Sequence, residues 1–225
     1  MTPGGGSLAD VRAYKFTAAG GVGRFTGFPW PLPADGNPGA WVEATPPSTV
    51  CAAGVHACAV DQLPHWLGPE LWEVELAGDV VKSTYKLVAA RGRLLGRVGG
   101  WPEAARSFAE SCATRVREMA AAQLRGAGLS DLAGALLAAT FSARLAPEVE
   151  AARDAATPLV ATLTGYASDC LLDVENGDYA MCAYVAATAF ANLSTGDVVQ
   201  DMTSAGWAEE RARQADWLAT RLALG

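Results

Sequence analysis

Gly99-Gly-Trp-Pro-Glu103 divides this 225-residue sequence into two textures. Ahead of it, Leu71-Trp-Glu-Val-Glu-Leu76 alternates like a half-buried strand, with Trp72, Val74 and Leu76 on one face and Glu73 and Glu75 on the other. Behind it, Pro102 suits the first position of a helix and Glu103 its first turn, and Phe108, Cys112, Val116 and Met119 recur at helical spacing. Before the divide, Arg12–Phe16, Tyr85–Ala90 and Arg93–Val98 read as further strands, Asp61–Leu67 as a short helix and Gly78-Asp79 as a turn. Glycines and prolines between Gly20 and Pro33 mark a long loop. Beyond the divide, helices are expected over Leu129–Phe141, Pro147–Val174, Asp178–Leu193 and Ala205–Leu224. Pro158 and Gly165 should break the second of these, and Ala208, Ala212, Ala215, Ala219 and Leu222 form the expected buried stripe of the last. The expectation is an α+β fold. A flexible lead-in (1–10) precedes a β-rich half (11–100) with a split or open antiparallel sheet, packed on a helical half (101–225).

Composition excludes several classes. A net charge of −7 argues against a nucleic-acid coat, and 51% apolar against 18% charged residues argues against disorder. The longest apolar stretch, Ala180–Leu193, is too short for the roughly 20 residues of a membrane span. Met1–Ser7 carries neither a basic cluster nor an apolar core, so a cytoplasmic protein is expected, with five reduced cysteines. Charge is unevenly placed: Lys82–Arg125 holds nine basic and three acidic residues, Gly126–Glu210 two and twelve. Lys82, Lys86, Arg91, Arg93 and Arg97 form either a solvated face or a cationic rim for an anionic ligand.

Only two histidines are present, His56 and His65. His56 lies in Cys51-Ala-Ala-Gly-Val-His-Ala-Cys58, which offers three metal-ligand types without a fourth ligand or the usual spacing, so no metal is expected. Cys112, Cys170 and Cys182 fall in expected helices and read as small core residues. Asp169, Asp173, Glu175 and Asp178 read as a solvated helix junction, and Gly20-Gly-Val-Gly23 lacks the following helix of a phosphate loop. Trp30, in its Gly/Pro loop, is either packing or the lid of a pocket.

The Cys51-x2-Gly54-Val-His56-Ala-Cys58 stretch is followed by a short helix, a Val-Glu-Leu strand and Tyr85-Lys86-Leu-Val-Ala. With Tyr14-Lys15 near the start, this resembles a family of uncharacterised bacterial and phage-encoded domains over roughly residues 13 to 98. The helical half, with Arg211-x2-Gln214-x2-Trp217-Leu218, resembles the longer members from high-GC soil bacteria. The resemblance implies a residue set and not a reaction: Lys15, His56, Glu75 and Lys86, with Cys51 and Cys58 beside them.

A histidine with a carboxylate and two ammonium groups is the equipment of general acid–base chemistry. The expected function is an enzyme acting on a small organic molecule by cyclisation, isomerisation or hydrolysis, without a cofactor. His56 and Glu75 are its catalytic candidates, and Lys15, Lys86, Trp30 and Cys58 its binding candidates. The expected partner is a small molecule rather than nucleic acid or membrane, with a homodimer allowed. Two other readings stay open: an ADP-ribosyltransferase-like NAD-using domain, and a non-enzymatic ligand- or partner-binding module.

Overall fold

The computed structural model describes residues 11–44, 54–198 and 201–225. The expected lead-in and Cys51 lie outside the described residues. The chain forms two compact units, one reaching to Pro102 and including Leu222–Gly225, the other Glu103–Arg221. The first carries strands and the second is helical, an α+β chain as expected.

The first unit holds β1 (Val11–Thr17), β2 (Val42–Glu43), β3 (Val55–Ala57), β4 (Glu70–Ala77), β5 (Val81–Lys82), β6 (Leu87–Ala89) and β7 (Arg91–Arg97). One antiparallel sheet has the order β1-β4-β7-β2, the other β3-β6-β5. Alternation sets the faces. Ala13, Trp72, Val74, Leu76 and Leu94 from the first sheet share a core with Val55, Ala57, Leu87 and Ala89 from the second. The sheets approach so closely at Gly92 that a Cβ there would lie 2.7 Å from Val55 Cγ1. The sheets also touch through the backbone, because Tyr14 and Cys58 exchange N–H···O bonds of 2.8 and 2.7 Å just beyond β3. A β-bulge lies between Glu73 and Val74: Val74 faces Leu94 but Glu73 faces Gly96, leaving Leu95 as the extra residue.

The expected short helix is a 3-10 helix, Val60–His65, with Pro64 inside it. β6 is shorter than expected because Ser83 N–H bonds Lys86 O, closing a turn that takes Tyr85 and Lys86 out of the strand.

The helices are α1 (Trp101–Gly126), α2 (Ser130–Ala138), α3 (Ala146–Ala155), α4 (Pro158–Asn176), α5 (Tyr179–Thr195) and α6 (Ala205–Leu222). Trp101, at the start of α1, belongs to the first unit, where its Nε1 donates to Gly68 O at 2.7 Å and its ring packs on Phe16. Pro158 opens α4 as its first residue, behind a Thr157 cap, whereas Gly165 lies within α4 and breaks nothing. Glycine in a helix interior costs only about 1 kcal/mol and keeps its N–H, so surrounding packing overrides it. Gly177, left-handed at φ 74°, ends α4, and Asp178 caps α5 by accepting from Met181 N–H.

The expected stripe of α6 is wrong in rotation. Ala208 and Ala212 are exposed and Ala219 and Leu222 half-buried, leaving Ala215 alone in the core. The inward face carries Trp207, Glu210, Arg211, Gln214 and Leu218. Glu210 is fully buried and accepts from Arg115, from Arg213 at 2.8 Å and from Gln214 at 3.0 Å, while Gln214 donates to Ala183 O. A polar network thus ties α1, α5 and α6.

Candidate functional site

Where the chain of β3 leaves β6 and meets β1, a cavity of about 80 Å³ opens. Tyr14, Lys15 and Phe16 of β1 form one wall and His56, Ala57 and Cys58 another. Lys86 and the rings of Phe25 and Trp66 complete it. Phe25 is 80% exposed and meets Trp66 edge-on, with ring centroids 6.2 Å apart, so it stands at the rim. Its neighbour Arg24 fixes the rim loop by donating to the carbonyls of Trp66 and Leu67.

His56 faces away from the core because its neighbours Val55 and Ala57 face into it. Its Nε2 is buried and has no hydrogen-bond partner among the described residues. Burial lowers the His56 pKa, and the Lys86 and Lys15 ammonium groups lower it further. The imidazole is therefore neutral at pH 7, able to take up a proton.

Lys15 Nζ donates to His56 O at 2.6 Å and lies 4.8 Å above the Trp30 ring. Burial pushes its pKa down to about 8. Cys58 is a buried thiol that donates to Tyr14 O at 3.2 Å. Burial pushes its pKa up to about 12, so it is not a thiolate at neutral pH. Among the described residues no group of three or more His, Cys, Asp and Glu side chains could hold a metal ion.

Lys15, His56, Cys58 and Lys86 thus come to one cavity. Two other candidates do not. Glu75 lies on β4, opposite Arg12, and β1 stands between β4 and Cys58. Its carboxylate is held by Arg93 at 2.6 Å on the next strand, so it neither lines the cavity nor orients the imidazole. Glu75 is on the face of β4 opposite to Trp72, which pairs with Lys15, so its face and the strand order both keep it from the cavity. Trp30 is no lid: it is 8% exposed, part of the core beneath Lys15. Phe25 holds the rim position instead.

The sequence also carried residues that were passed over. Glu70 is 7% exposed and binds Gly20 N–H, Gly21 N–H and Thr17 Oγ1, with Arg97 3.2 Å away. Burial pushes the Glu70 carboxyl up, but the Gly21 and Gly20 N–H groups and Arg97 outweigh it and hold the pKa low. Gly20-Gly21 therefore cradles an internal carboxylate. The available signal was parity, since Glu70 is in step with Trp72, Val74 and Leu76 on the core face. His65 packs its ring on Tyr85, with centroids 4.8 Å apart. In the acidic run, Glu175 binds Ser142, while burial and the Asp178 and Asp169 charges push Asp173 up to about 6.

Comparison of the chain with protein-family models, with curated proteins and with solved structures finds no match. Among the described residues no helix is long and apolar enough to cross a membrane.

Proposed function

We propose that the first unit is an acid–base enzyme module whose cavity at His56 takes a small organic molecule. The observation that carries this reading is a buried His56 Nε2, unpartnered among the described residues, on a histidine that lines a cavity beside two lysines. An imidazole buried without a partner costs free energy unless a ligand supplies one. Kept neutral by burial and by Lys86 and Lys15, it is a general base for a proton on a bound molecule and returns that proton as an acid. Cyclisation, isomerisation and hydrolysis all need such a group and no redox cofactor. Four buried free thiols support a reducing, cytoplasmic setting.

The two-sheet layout is the feature in favour of an NAD-using transferase, but fold alone does not carry a function. Volume speaks against that reading: sites for drug-sized ligands span about 300–1,000 Å³, against about 80 Å³ here.

The test joins a titration to a turnover screen. NMR of the ring protons should give His56 a pKa below 6.5. A panel of small carbonyl, ester and hydroxy compounds in D2O, followed by NMR, should show conversion or proton exchange that falls roughly 100-fold or more in His56→Gln. A His56 protonated at pH 7, or turnover indifferent to the substitution, overturns the reading.

A further inference from the structure

The cationic stretch from Lys82 to Arg97 is mostly neutralised within the fold. Asp61 holds Lys82 at 3.1 Å, Glu43 holds Arg91 at 4.0 Å, Glu75 holds Arg93 at 2.6 Å and Glu70 holds Arg97 at 3.2 Å. Lys86 differs. Its ammonium has no hydrogen bond or ion pair among the described residues, and it lines the cavity of His56. Lys15 is already engaged by His56 O and the Trp30 ring. The cavity is thus lined by Lys86, whose ammonium is free among the described residues, and by His56, whose Nε2 is unpartnered among them, beside Tyr14, Phe16, Phe25 and Trp66. A few convergent polar groups on an apolar wall fix the class of ligand that fits.

We infer that this cavity binds a short-chain carboxylate with a hydroxyl or carbonyl on the adjacent carbon, its carboxylate on Lys86 and the neighbouring oxygen at His56 Nε2. The inference rests on the acid–base reading of His56 and names a substrate class for it. Size agrees. A cavity of about 80 Å³, at about 10–15 Å³ of such space per water, takes roughly five to eight water-sized groups, room for an acid of about two to four carbons. A phosphate group fits poorly: it would bring several charged oxygens to a wall with one free ammonium and leave most of them unpaired.

Binding of glycolate, glycolamide and inorganic phosphate to the full chain, measured by ligand-detected NMR, tests this. Glycolate should saturate, and glycolamide, which lacks the charge, should bind roughly ten- to a hundredfold more weakly. Phosphate should not displace glycolate. Lys86→Met should erase the preference for glycolate while leaving glycolamide unchanged, and Lys82→Met, on an ammonium already held by Asp61, should change neither. Glycolamide binding as tightly as glycolate, displacement by phosphate, or no saturable glycolate binding overturns the assignment. The two readings fail separately. Loss of glycolate selectivity with turnover still dependent on His56 removes only the carboxylate, whereas glycolate binding intact around a His56 protonated at pH 7 removes only the acid–base role.

Discussion

Replacing Lys15 by methionine should flatten the alkaline rise in stability. Burial lowers the folded-state pKa from 10.5 to about 8, so between these values the unfolded chain binds more protons than the folded one. Stability therefore increases as pH climbs through that window. At about 1.4 kcal/mol per pH unit the full displacement is worth at most about 3 kcal/mol, of which about 2 kcal/mol is recovered between about pH 7 and pH 9.5. Methionine keeps the length of the stem and carries no proton, so the variant lacks this term. Cys58 and Cys112, both pushed up to about 12 by burial, act with the opposite sign, because unfolded thiols ionise first and stability falls above about pH 9. Their effect is common to both proteins and cancels in the difference. Urea denaturation under reductant across that range should give wild-type and Lys15→Met curves that converge or cross by about 2 kcal/mol. Parallel curves would show that the Lys15 ammonium is solvated, and the account of the cavity wall would fail with it.

Glu70→Ala should remove the acceptor for Gly20 and Gly21 N–H and cost about 1–3 kcal/mol. The freed loop should then be cut by trypsin after Arg24 well before the rest of the chain; an unchanged cleavage rate counts against the clamp. Glu210→Ala should cost about 3–5 kcal/mol, because it strands the partly buried Arg115 guanidinium. Ala208→Leu on the exposed side of α6 should stay within about 0.5 kcal/mol, and calorimetry of the pair distinguishes this rotation of the helix from the one its alanines suggest.

Periodicity made the strands and helices legible wherever the buried face is apolar. β4 shows this well, as Trp72, Val74 and Leu76 all turn inward. It misled on α6, where alanines repeat on the outer side and the inner side carries Glu210, Arg211 and Gln214 satisfied by one another. Pattern reading assumes that charge faces solvent, and a paired charge breaks that assumption. His56, Lys15, Lys86 and Cys58 were legible as a set, and the structure gathers them at one cavity. Glu75 is set apart from them by its face of β4, which alternation shows, and by the order of β3, β1 and β4, which lies in long-range pairing. Phe25 stayed hidden because a loop aromatic has no period to betray its position.

The bulge in β7 determines where this strand tolerates a change in length. Leu95 opposes no residue of its own, and its presence lets Leu94 and Arg97, three positions apart, face the same side as Val74 and Trp72. Regular pairing of the same residues would carry Arg97 to the opposite side, away from the buried carboxylate of Glu70 that it neutralises. A chain lacking only Leu95 would keep the pairings of Leu94 with Val74 and of Arg97 with Trp72. A deletion at any neighbouring position on β4 would reverse one flank against the other. One residue can therefore be lost between Leu94 and Gly96 with both flanks of β7 kept in register and the Arg97 guanidinium kept over the Glu70 carboxylate.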